Sequence, residues 1–143
     1  MKLVHLPDGT TVRASALAER RVVDGWRDYG LYLEPAWNPE WPAHVLAWPD
    51  YGLPASSEDG YQHICAAFER ARGGVGVEIG CRGGLGRTGT VLACFVVLCS
   101  ALDPPAAVAW VRNNYDCRAV ETPEQEAWVA WFAARLKEDR QRE

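Results

Sequence analysis

The sequence predicts an α/β fold, a single domain with a central, mainly parallel β-sheet flanked by helices. Three observations carry that expectation. Short strand-like runs alternate with segments of helical periodicity along the chain. One run, Val75 to Gly80, has the character of a strand buried inside a parallel sheet. That run passes through a glycine-rich bend into a helix that is apolar on almost every side. At 143 residues, the span 1–143 suits one domain whose core holds without metal or disulfide staples.

Taken in order, Val4 to Leu6 and Thr11 to Ala14 flank Pro7-Asp8-Gly9-Thr10, a turn-forming tetrad, so a short hairpin at a sheet edge is expected. Leu31-Tyr32-Leu33, His44 to Trp48 and Val75 to Gly80 are the further strands. Ser56 or Ser57 caps a helix over residues 58 to 72, where Tyr61, Ile64, Cys65 and Phe68 share one face, and Gly73-Gly74 stops it. The central helix runs from Arg87 or Thr88 to Ala101. Asp103-Pro104 opens a helix to about Tyr115. Thr122-Pro123-Glu124-Gln125 is a capping box opening the last helix to about Lys137, with Trp128, Trp131, Phe132 and Leu136 as its apolar stripe. The charged tail, Lys137 to Glu143, is expected to fray.

Hydrophobic residues make up 48% of the chain and charged residues 24%, which excludes a disordered or fibrous protein. The formal net charge of −4 provides no global attraction for nucleic acid or an anionic membrane, so an anion must be held by a local positive site. The N-terminal apolar run is broken by Pro7 and Asp8, and no later run is long enough to cross a bilayer, so a cytoplasmic protein without membrane insertion is expected. Five cysteines, no Cys-x-x-Cys pair and no clustered histidines favour neither a disulfide framework nor a zinc site. No cofactor or metal is expected, and the oligomeric state is open.

The segment that carries chemistry is Cys81-Arg82-Gly83-Gly84-Leu85-Gly86-Arg87-Thr88-Gly89. A loop between a buried strand and a helix turns its backbone N–H groups toward an anion, and the helix dipole adds positive charge at the same spot. Gly83, Gly84 and Gly86 permit the close backbone approach such a ring demands, with Leu85 completing it. These surroundings, with Arg87, favour the thiolate of Cys81 and make it a candidate nucleophile. Arg87 presents a planar fork to two phosphate oxygens, and Thr88 offers its hydroxyl to the sulfur. A dinucleotide-binding turn is the other glycine-rich option, but the apolar helix that follows lacks the acidic residue it requires. Upstream, Trp48-Pro49-Asp50 supplies a carboxylic acid on a loop, with Trp48 and Gly52 as anchor and hinge.

These residues resemble a known family. Cys81 to Thr90 is similar to the signature loop of the cysteine-dependent protein tyrosine and dual-specificity phosphatases, and Trp48-Pro49-Asp50-Tyr51-Gly52-Leu53-Pro54 resembles their general-acid loop. The likeness runs from about Leu31 to Phe132, because Val120 to Gln125 resembles the segment carrying the family's water-positioning glutamine. The resemblance implies a metal-free phosphatase acting on a phosphorylated protein or small phosphate ester. Cys81 would be the nucleophile and Asp50 the general acid and base. Arg82, Gly83, Gly84, Leu85, Gly86 and Tyr51 would bind substrate, and Gln125 or Glu121 would position water.

Two departures stand out. Gly80 occupies the position where the family usually has histidine, removing one orienting hydrogen-bond network, and Glu121 stands at the position of the first glutamine. Gln125 is then either the water-positioning amide or a structural capping residue. Arg82 is unusual in a tyrosine-directed loop and resembles the basic residue of phosphoinositide-directed members. Three readings stay open: a phosphotyrosine phosphatase, a phosphoinositide or inositol-phosphate phosphatase, and a phosphate-binding pseudoenzyme. His5 and His44 read as strand residues and His63 as a solvated one; Cys65, Cys94 and Cys99 read as packing residues. Cys117 is the one candidate resolving thiol. Trp37 and Trp41 are placed either at the cleft wall or at the sheet edge.

Overall fold

The computed structural model describes residues 2–19, 26–34 and 39–143. The described elements run β1 (Lys2–His5), β2 (Thr11–Ala16), β3 (Tyr29–Tyr32), β4 (Ala43–Val45), α1 (Ser57–Arg72), β5 (Val77–Cys81), α2 (Gly86–Cys99), α3 (Pro104–Asn114) and α4 (Pro123–Gln141). They form one five-stranded sheet of order β1-β2-β5-β3-β4. β1 pairs antiparallel with β2 through the expected turn, where Asp8 Oδ1 accepts from Thr10 N at 2.9 Å. Every other pairing is parallel. β5 lies in the middle, bonded on both sides and buried along its whole length, with its last residue, Cys81, in register with Ala16 of β2 and Gly80 beside it paired with Tyr32 of β3.

The helices begin and end for local reasons. Ser56 Oγ accepts from Asp59 N at 3.2 Å, with Glu58 and Asp59 in the positive first turn of α1, and Gly73 closes the other end. Asp103 caps α3 through Ala106 N at 2.9 Å. α2 is buried over most of its length because it packs against α1, α3, α4 and β5 at once.

The structure departs from the sequence expectation in four places. The strand expected over His44 to Trp48 stops at Val45. Leu46 N still donates to Tyr32 O at 2.8 Å, but Ala47 O then accepts from Ala55 N at 2.8 Å, which turns the chain out of the sheet into a loop. The tail expected to fray is helical to Gln141. Tyr61 Oη donates to Asp139 at 2.6 Å, Arg135 Nη1 to the same carboxylate at 2.5 Å, and Arg140 Nη2 to Leu98 O at 3.2 Å, so the charged turns are held from α1 and α2.

The third departure is that β5 is not simply apolar. Glu78 is fully buried, and its carboxylate accepts from Arg13 Nε at 2.9 Å, Arg27 Nε and Nη2 at 3.0 Å each, and Tyr32 Oη at 2.7 Å. Burial first, and the Glu78 carboxylate second, push the Tyr32 hydroxyl well above its ordinary pKa, so it remains a donor. Trp41 Nε1 donates to that hydroxyl at 2.8 Å and its ring lies over the Arg27 guanidinium, 4.2 Å from centroid to carbon. Trp41 therefore belongs to this network and not to the cleft described below; Trp37 lies outside the described residues. Fourth, the histidines are clustered after all. The rings of His44 and His63 stack with centroids 3.4 Å apart, and His63 is half-buried instead of fully solvated.

Candidate active site

Cys81 is the last residue of β5 and Gly86 the first of α2, so residues 82–85 form the bend between the central strand and the most buried helix. Leu85 at the head of α2 makes no side-chain capping bond, which leaves the first-turn N–H groups for a ligand. Gly84 has φ +71°, and a Cβ there would meet the backbone of Ser15 and Ala16 at 3.1 to 3.3 Å. Tyr115 donates its hydroxyl to Gly84 O, and Leu17 N donates to Arg82 O at 3.1 Å, fixing the bend from α3 and β2. The cleft above it has a volume of about 240 Å³ and is lined by Asp50, Tyr51, Cys81, Arg82, Gly83, Leu85, Gly86 and Glu121.

Cys81 is 2% exposed, and its sulfur accepts from Thr88 Oγ1 at 3.0 Å. Arg87 is equally buried. Its Nη1 donates to Leu33 O at 2.7 Å and Trp48 O at 2.8 Å, while Nη2 lies 3.5 Å from Asp50 and 3.9 Å from Glu34. Its Nε is buried without a hydrogen-bond partner among the described residues. An unsatisfied buried donor on a cation is costly, and an anion in the cleft is a natural acceptor for it.

Asp50 stands on the loop between β4 and α1, with its Oδ1 accepting from Tyr51 N at 3.0 Å. The loop is anchored on its own side by Trp48, fully buried, whose Nε1 donates to Gly52 O at 2.8 Å. Tyr51 has φ +58° and is 62% exposed at the rim. A buried thiol in the cleft lining, the free first-turn amides of α2, a fixed guanidinium and a carboxylic acid at the mouth can together bind a tetrahedral oxyanion, attack it and protonate a departing oxygen.

A family model described as a Swiss Army Knife protein, DSP-PTPase phosphatase domain matches residues 38–131, which contain all of these groups. The chain belongs to the DSP-PTPase phosphatase family. The chain is 30% identical over 99 residues to the human tyrosine-protein phosphatase non-receptor type 4, covering 66% of the chain but only 11% of that protein. It is 40% identical over 110 residues to the uncharacterized protein MJECL20 of Methanocaldococcus jannaschii, covering 69% and 71% of the two chains. Tk-PTP in its active form superposes with a TM-score of 0.74 at 27% identity, covering 92% of this chain and 97% of that one. PTPMT1 in complex with PI(5)P shares the fold, with a TM-score of 0.70 at 14% identity, covering 90% and 94%.

Most of the expected residues come together, with one division of labour. Cys81, Asp50, Tyr51, Glu121, Arg82, Gly83, Leu85 and Gly86 border one cleft, with Arg82 exposed, whereas Gly84, also expected to bind substrate, is buried against Ser15 and Ala16 and does not line it. Thr88 and Arg87 lie directly beneath. Gln125 is fully buried and does not line the cleft. Its Oε1 accepts from Glu121 N at 2.9 Å and its Nε2 donates to Gly52 O at 3.2 Å. The capping box is therefore half made: Thr122 Oγ1 accepts from Gln125 N at 3.1 Å, but the return bond reaches Glu121. Glu121 sits so close to Gly86 that any side chain there would collide with its carboxylate.

Sequence reasoning missed Glu34, Tyr115 and Arg112. Arg112 donates to Ala119 O at 3.0 Å and Val120 O at 2.7 Å, and pairs with Glu126 at 2.9 Å. It thereby clamps Val120, whose φ of +58° is strained for a β-branched residue, and that strained turn delivers Glu121 to the cleft. None of the three has a local motif, because each partner is brought by the tertiary fold. Cys94 is fully buried and Cys65 half-buried, and burial raises both thiols, Cys65 to about 11, which fits packing roles. No single helix among the described residues is long and apolar enough to cross a membrane.

Proposed function

We propose that this protein hydrolyses phosphate monoesters through a phosphocysteine, with phosphotyrosine on protein as the substrate. The observation that carries the reading is the buried Arg87 Nε without a partner among the described residues, on a guanidinium whose other end is fixed to Leu33 O and Trp48 O. A phosphate oxygen accepts from Nε, and the amides of the bend accommodate the others. The Cys81 thiolate attacks phosphorus; the S–P bond forms as the P–O bond breaks, and Asp50 gives its proton to the departing oxygen. A water oriented by Glu121, with Gln125 holding the backbone behind it, then attacks the phosphocysteine and returns a proton to Asp50. The thiolate leaves toward the Thr88 hydroxyl. Tyr51 at the rim offers its ring to the substrate's aromatic group. Reduced Cys81 suits a cytoplasmic location.

A second reading rests on Arg82, an exposed cation in the cleft lining that would favour a polyanionic phosphoinositide or inositol phosphate. The test is aryl-phosphate hydrolysis without added metal by wild type, Cys81→Ser and Asp50→Asn. Turnover is expected in the wild type, none in the first variant and a large drop in the second, with phosphate binding kept in both. Binding without turnover in the wild type would make the protein a pseudoenzyme and overturn the proposal. Rates on phosphotyrosine peptides against inositol phosphates, with Arg82→Ala, separate the two substrate classes.

A further inference from the structure

One side-chain cluster outside the cleft joins two elements that are separate in sequence. His44 is on β4, while Asp59 and His63 lie one helical turn apart on α1. The two imidazoles face each other with centroids 3.4 Å apart and planes 9° from parallel. His63 Nε2 is 3.8 Å from Asp59 Oδ1, and one nitrogen or oxygen from each of the three residues lies within 4.8 Å of the other two. Both histidines are half-buried and Asp59 is exposed. None of the three lines the catalytic cleft.

We propose that His44, Asp59 and His63 form a binding site for a zinc-type divalent cation. Two imidazole nitrogens and one carboxylate oxygen are a donor set this ion class takes, at about 2.0–2.2 Å, with water completing a tetrahedron. Ligand atoms in such a tetrahedron stand roughly 3.3 Å apart, so the cluster closes by side-chain rotation alone, unstacking the two rings. Magnesium and calcium are poor candidates, because they require mainly oxygen ligands and this cluster has a single carboxylate.

The position of the site says what an ion would do there. The chain leaves β4 at Val45 and enters α1 at Ser57, and between them lie Trp48, Asp50 and Gly52. The ligands thus come from both stems of the loop carrying Asp50, and a bound ion would join those stems and restrain loop opening. The effect on the loop rests on the acid role proposed above; the ion site itself does not.

The test uses the full chain as Cys81→Ser, so that the nucleophile cannot compete for metal. Titration with Co2+ is expected to give the visible d–d bands of a low-coordinate His/carboxylate site at one equivalent, displaced by Zn2+, with Zn2+ raising Tm. His44→Ala and His63→Gln are each expected to weaken binding at least ~10-fold, as loss of one of three protein ligands should. His63→Gln lies on the half-exposed face of α1, so it reports even if His44→Ala fails to fold. Binding unchanged in His63→Gln, or a wild-type-sequence dissociation constant above about 1 mM, corresponding to only about −4 kcal/mol, overturns the site and leaves a simple stack of neutral rings. Metal binding in the Cys81→Ser chain, together with no phosphatase turnover by the wild type, would sink the functional reading and leave the site standing.

Discussion

Gln125 Nε2 donates to the carbonyl oxygen of Gly52 across 3.2 Å, tying the first turn of α4 to the loop that carries Asp50. The same carbonyl accepts from Trp48 Nε1 at 2.8 Å, and the other end of the Gln125 amide holds Glu121 N. One buried side chain thus registers the acid loop against the segment that presents Glu121.

Gln125→Ala is expected to leave Glu121 N without its acceptor and to free Gly52 from α4. The stability cost is about 1–3 kcal/mol, read from urea unfolding. The kcat is expected to fall by roughly 10-fold with KM little changed, since the amide does not line the cleft. A kcat equal to that of the wild type in a destabilised variant would confine Gln125 to a structural role.

Thr88→Ala removes the hydroxyl that donates to Cys81 at 3.0 Å. With the leaving thiolate less well stabilised, breakdown of the phosphocysteine is expected to become the slow step. Rapid-mixing kinetics on an aryl phosphate would show a burst of phenol followed by a steady rate about 10- to 100-fold below wild type. Equal losses in the burst and the steady state would place the hydroxyl's contribution in the first step.

Glu78→Ala is expected to be among the most damaging substitutions far from the cleft. It removes the carboxylate that accepts from the buried guanidiniums of Arg13 and Arg27, at about 3–5 kcal/mol. Glu78→Gln keeps an oxygen acceptor and is expected to cost less. Equilibrium denaturation of the two variants checks the order, and an equal loss in both would show that charge alone matters at this position.

At the end of α4, Tyr61 first and Arg135 second hold the Asp139 carboxyl below its ordinary 3.8, while Arg135 first and Gln62 second hold Glu58 below its ordinary 4.5. Groups whose pKa is depressed in the fold contribute stability above their unfolded values and lose it as the pH falls through the folded ones. The Tm is therefore expected to decline as the pH drops below about 4.5, with a shallower decline in Arg135→Ala. Glu58 is exposed and Asp139 half-exposed, so the difference should shrink at high salt.

Much of the fold was legible because its signals are short-range. Ser56, Asp103 and Thr122 cap helices through N–H groups three residues away, and Asp8 closes the hairpin turn through Thr10 two residues away. The α4 tail was misjudged because its charges look solvated in sequence, yet Asp139 finds Tyr61 across 78 positions. The water-positioning pair was ambiguous for a similar reason: Glu121 and Gln125 are neighbours on the chain, and only packing sends one into the cleft and buries the other.

What the sequence by itself determined is the set of groups proposed to react and its frame: Cys81, Arg87 and Thr88 on one strand–bend–helix unit, and Asp50 beside Trp48 on a loop. Those relations hold within a few residues, where backbone geometry alone sets the distance. What only the tertiary structure decided is how the set is held: Arg87 against Trp48 O across 39 positions, Gln125 against Gly52 O across 73, Arg13 on Glu78 across 65, and the meeting of His44 with His63. Such contacts depend on strand order and helix packing, which are settled by burial over the whole chain and leave no mark at any single stretch of it.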